Sequence, residues 1–139
     1  MVPRVGLVVV AVVILGAVPA AQAQSPEDAA QAAATQWLLL LDAGQYAATW
    51  EQASQGFKRA VTQPQWEQAV SRAREPFGKF LSRKVKSRTY TTTLPGAPDG
   101  MYVTVVFDSA FERKAAAVET AVMTLDGDGV WRVAGSFIR

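Results

Sequence analysis

Proton chemistry in this chain would fall to Asp42, Asp108, Glu119, Tyr46 and Tyr90. General acid–base work needs a group with a tuned pKa held beside the reacting atom. His, the usual choice, does not occur in the 139 residues, and neither does Cys. Composition therefore excludes thiolate nucleophiles, disulfides, thiolate metal sites and a lipidated N-terminal Cys. Asp108 alternates with the apolar set Met101, Val103, Val105 and Phe107, falling on the side of Tyr102 and Thr104. That pattern predicts a solvated carboxylate. Glu119 lies between Val118 and Thr120, which leaves its direction open. No spacing pairs the acids, so a carboxylate or Tyr enzyme is the alternative rather than the leading reading.

The second constellation is basic. Lys79, Arg83, Lys84, Lys86 and Arg88 fall within ten residues with no acid among them. On an extended strand Lys84, Lys86 and Arg88 share a face with Tyr90, and these four are the candidate binding residues. They suit an anionic surface: phospholipid headgroups, a polyanionic envelope polymer or an acidic protein. The plainer alternative is a solvated sheet face whose lysines discourage edge-to-edge aggregation. Fourteen basic against twelve acidic residues give a net charge of only +2, which argues against nucleic acid as partner. Asp126-Gly127-Asp128-Gly129 opens like a calcium loop, but the bidentate Glu at the twelfth position is absent, so it reads as a hairpin turn. Neither metal nor cofactor is expected.

These groups must be positioned by helices followed by strands. Ser25-Pro26-Glu27-Asp28 is a helix start, with Ser as N-cap, Pro in the first turn and acids after it. Ala30, Ala33, Ala34, Trp37, Leu38 and Leu41 then form one helical face that Gly44 terminates. A short helix is expected from Tyr46 to Ala53. Another starts at Thr62, where Gln65 completes a capping box, and ends at Glu75-Pro76. Beyond Gly78 the period changes to two, which predicts strands over Phe80–Leu94, Met101–Asp108, Ala115–Leu125 and Val130–Ile138. The four tryptophans, Trp37, Trp50, Trp66 and Trp131, fall on apolar stripes, as core residues or as the lining of a pocket for a small apolar ligand. The expected fold is α+β, with three N-terminal helices packed on a four-stranded antiparallel meander.

The N-terminus reads as a targeting segment. Arg4 is the only charge before Glu27, Val5 to Val18 is uninterruptedly apolar or Gly, and Ala21-Gln22-Ala23 is a cleavage motif. Residues 1–23 are expected to be a signal peptide and residues 24–139 a single domain, periplasmic or secreted. The alternative is retention as an anchor, although the apolar run falls short of the ~20 residues a spanning helix needs.

Several stretches together carry a resemblance: Trp37-Leu38, Asp42-Ala43-Gly44-Gln45-Tyr46, Trp50-Glu51-Gln52-Ala53-Ser54, Phe57, Trp66, Ser82 to Ser87, Tyr90 to Gly100, and Gly129 to Gly135. They resemble domain-of-unknown-function family 4019, small exported bacterial proteins, with Leu94-Pro95-Gly96-Ala97-Pro98-Asp99-Gly100 the most specific part. The order of elements is also similar to cystatin-like and nuclear-transport-factor-2-like folds. The resemblance implies a fold and a compartment and brings no catalytic residues. The expected function is a non-enzymatic binding or interaction module of the bacterial envelope. A homodimer paired through the sheet is a third class.

Overall fold

The computed structural model describes residues 16–17 and 23–139, so most of the expected signal segment lies outside the described residues. Among the described residues four α-helices precede the strands: α1 (Pro26–Asp42), α2 (Tyr46–Glu51), α3 (Gln55–Ala60) and α4 (Gln63–Arg74). A 3-10 turn over Glu75–Phe77 leads into β1 (Phe80–Thr91), β2 (Tyr102–Phe111), β3 (Lys114–Leu125) and β4 (Trp131–Ile138). The sheet is antiparallel in the order β1-β2-β3-β4. This is the expected α+β meander, with one helix more than the sequence suggested.

The extra helix is α3. Its N-cap is Ser54, whose hydroxyl accepts from the Phe57 N–H. No apolar stripe marks so short a segment, and the Ser cap alone does not announce a helix. The other caps follow the expected chemistry. Ser25 accepts from the Asp28 N–H, and Thr62 and Gln65 form the reciprocal capping box. At the end of α1, Gly44 takes φ +73°, which lets the Gln45 N–H turn back to the Leu40 carbonyl. The first strand is shorter than expected, because the chain leaves the sheet after Thr91 to enter the Pro- and Gly-rich loop.

The helices cover one face of the sheet, and α1 touches all four strands. Ala30, Ala34, Trp37, Leu38 and Leu41 from α1 pack with Val103, Val105, Phe107, Ala121, Met123 and Val133 from the sheet. Small alanines at the start of α1 allow close approach to the strands, while the larger residues near its end fill the wider space. Trp37 and Trp66 are buried, as expected; Trp50 and Trp131 are only partly so and pack around the core. Thr49 is a buried hub: its carbonyl accepts from Trp37 Nε1 at 2.8 Å and its hydroxyl from Trp66 Nε1 at 2.9 Å. Both indole donors are thereby satisfied away from water. Among the described residues, no helix is long and apolar enough to cross a membrane.

Candidate functional site

The charged groups beneath the helices form a closed square. Asp42 at the end of α1 and Glu119 on β3 face Arg74 at the end of α4 and Arg83 on β1. Arg74 donates to Glu119 Oε2 at 3.0 Å and to Asp42 Oδ1 at 2.6 Å. Arg83 donates through Nε to Glu119 Oε1 at 2.8 Å and through its two Nη atoms to Asp42 at 2.9 and 3.0 Å. Ser109 on β2 completes the set, donating to Glu119 Oε1 at 2.6 Å. The four charged side chains are between 2% and 9% exposed.

The alternation of sign is what makes this burial tolerable. Each desolvated charge has two opposite neighbours and ordered hydrogen bonds, which offset the cost of leaving water. The guanidinium faces are occupied as well: Arg83 lies over Phe80 at 4.3 Å and Arg74 over Phe111 at 5.1 Å. Burial works against the charge on Arg83, but its hydrogen bonds to Asp42 and the charges of Glu119 and Asp42 outweigh it, so its pKa is raised. Every carboxylate oxygen of Asp42 and Glu119 already accepts from a guanidinium. The square is built to hold α1, α4 and three strands together, with no carboxylate left over to take a substrate proton.

Of the sequence-level acid–base candidates, the fold thus brings Asp42 and Glu119 together. Glu119 points inward, between Ala117 and Ala121 on the helix-facing side of β3. Asp108 is on the outer face, as the alternation predicts, opposite Lys84. Tyr46 packs partly buried at the edge of the core, and Tyr90 is exposed. Arg74 and Ser109 were missed. Arg74 carried a readable signal, standing four residues after Val70 and eight after Trp66 on the buried stripe of α4. A charge on an apolar stripe calls for a buried partner.

The expected common face of Lys84, Lys86, Arg88 and Tyr90 does not form. Register shifts between Val85 and Ser87, so Lys84 opposes Asp108 whereas Arg88 opposes Val105 and Tyr90 opposes Val103. Val103 and Val105 are core residues, so Arg88 and Tyr90 are on the helix side and Lys84 on the outer side. Arg88 is ion-paired with Asp28 at the start of α1. Lys86 reaches Asp108 at 3.9 Å. The Asp126–Gly129 turn closes as a hairpin, with the Gly129 N–H donating to the Asp126 carbonyl at 2.9 Å. Both of its carboxylates are bonded by Arg132.

Beside the square lies a cleft of about 290 Å³ between α4 and β4. Leu41, Trp66, Ala69, Val70, Ala73 and Ile138 give it apolar walls, and Arg74 and Glu119 close its floor. Over part of its length it borders the edge of β4. The first half of that edge is occupied where the Ser54 N–H donates to the Val133 carbonyl at 2.9 Å.

A helical layer laid across a four-stranded antiparallel meander, with a closed charge square at one end and an apolar cleft beside it, defines an α+β protein. The chain belongs to the family described as "Protein of unknown function (DUF4019)", whose model matches residues 33–136. No match was found among curated proteins or among solved structures.

Proposed function

We propose that this is an exported, non-enzymatic interaction module of the bacterial envelope, released by cleavage after Ala23 and belonging to the cystatin-like group of α+β folds. Export is supported by the Arg4 n-region, the apolar run and Ala21-Gln22-Ala23. The cystatin-like assignment is supported by α1 lying across an antiparallel meander.

One observation carries the interaction role. The carboxylates beneath the helices are consumed in the charge square, while the cleft beside them is open and apolar and borders a sheet edge. Chemistry would need the reverse, a free acid or base in the cleft. Binding needs apolar walls and unspent backbone groups.

The test is native mass spectrometry of the protein recovered from its own periplasm. Ala69 and Ala73 are exposed residues of α4 that line the cleft, so Ala69→Arg and Ala73→Arg fill it without entering the core. A bound mass, protein or small molecule, that is lost in both variants is the expected result. Wild type and variants that all show the bare chain mass would sink the reading.

A further inference from the structure

Resting on that reading, we propose that the occupant of the cleft and of the β4 edge is a second copy of this chain, paired antiparallel through Ser136–Ile138 about a two-fold axis at Phe137. The backbone parity comes first. Arg139 and Val118 exchange both of their backbone hydrogen bonds, at 3.1 and 2.8 Å. Antiparallel pairing alternates, so Phe137 opposite Thr120 and Gly135 opposite Val122 also spend their groups on β3. Ser136 and Ile138 therefore direct N–H and C=O away from the sheet. Outside β3, neither residue has a backbone partner among the described residues.

The edge is complementary to itself. An antiparallel copy centred on Phe137 sets Ser136 opposite Ile138 of the second copy, and Ile138 opposite its Ser136. Each pair exchanges both N–H···O bonds, which uses every outward group on this stretch. On the outer face the two Phe137 rings meet across the axis in a closely spaced pair. Phe137 is 65% exposed, the most exposed large hydrophobic residue among those described. On the inner face, Ile138 of the second copy arrives beside Ser136 under α4, in the cleft walled by Trp66, Ala69, Val70 and Ala73. The small side chains of Ser136, Ala69 and Ala73 leave the room that Ile138 fills.

Charge selects this edge over the other. The outer edge strand β1 carries Lys84, Lys86 and Arg88 and has two register irregularities, so pairing it with itself would crowd like charges along a bent strand. On β4 no opposed pair is like-charged: Gly135 meets Arg139, Ser136 meets Ile138, and Phe137 meets Phe137. The contact is short. Three residues a side supply few backbone bonds, so the pairing is expected to be reversible rather than obligate.

Sedimentation velocity of the exported protein from low to high micromolar concentration tests this, beside Phe137→Lys and Ser136→Pro. Phe137→Lys places two ammonium groups against each other only in the dimer. Ser136→Pro removes an outward N–H and leaves the β3 ladder to Gly135 and Phe137. Near-ultraviolet circular dichroism verifies that each variant is folded, and either folded variant suffices. A concentration-dependent monomer–dimer equilibrium, weakened at least tenfold in a folded variant, is expected. A wild type that stays monomeric throughout, a dimer untouched by the folded variants, or a mass above two copies would each overturn the proposal. A monomeric wild type that still loses a bound mass in Ala69→Arg would leave the interaction reading intact and remove only the second copy as its partner.

Discussion

Arg74 and Glu119, 45 residues apart in the chain, meet at 3.0 Å beneath the helical layer. The contact ties the last turn of α4 to the middle of the sheet, and Asp42 and Arg83 close the same circuit from α1 and β1. Such a square specifies how helices sit on strands, because any sliding of α4 leaves a buried charge without its partner.

Removing one corner should therefore cost far more than a surface ion pair. Glu119→Ala leaves two guanidinium groups facing one carboxylate and is expected to lower unfolding stability by ~3–5 kcal/mol. Urea unfolding at neutral pH measures it. A loss of only a few tenths would mean that water reaches the square and screens it.

The Thr49 hub makes a graded prediction. Trp66→Ala removes a buried aromatic that also touches Trp37 and Phe57, and should cost ~3–5 kcal/mol. Trp66→Phe keeps most of the packing but loses the 2.9 Å bond to Thr49, for ~1 kcal/mol. Equal costs for the two would show that the indole N–H, rather than the ring, carries the effect.

Acid should weaken the attachment of α1 to β1. The Arg88 guanidinium, then Ser25, hold the Asp28 carboxyl below its usual range. A carboxyl with a lowered folded pKa stabilises the fold above its unfolded value of about 3.9. That contribution is lost as pH falls through the lower folded value. Urea midpoints across acid pH should fall less steeply for Asp28→Asn than for wild type, and added salt should shrink the difference. Coincident curves for the two proteins would remove Asp28 from the acid transition.

Any contact of Lys84 and Lys86 with an anionic surface should be weaker than the basic run suggests. Arg88 is held by Asp28, and Asp108 lies beside Lys86. Two lysines less one acid leave ~1 kcal/mol near an anionic surface, roughly fivefold in partitioning. Co-sedimentation with anionic vesicles at low salt should show this small excess over neutral vesicles, lost in Lys84→Ser/Lys86→Ser. Retention by the double variant would place the contact elsewhere.

The proposed export has its own measurement. The intact mass of the protein recovered from the periplasm should correspond to a chain beginning at Gln24. A mass that includes residues 1–23 would mean the segment is kept as an anchor.

Much of the fold was legible because it is written in local periods. The 3.6-residue stripe from Ala30 to Leu41, the Thr62–Gln65 capping box and the alternation from Met101 to Asp108 each depend on neighbours a few residues away, and each appears where expected. Register is not local. The bulge after Val85 depends on how β1 meets β2, and one inserted residue sends Arg88 and Tyr90 to the side opposite Lys84. The charge square is likewise a tertiary product. Asp42, Arg74, Arg83 and Glu119 come from two helices and two strands, and no spacing in the sequence pairs them. Only the packing of α1 and α4 on one sheet face takes them out of water together, and desolvation is what turns four ordinary ions into a single obligatory cluster.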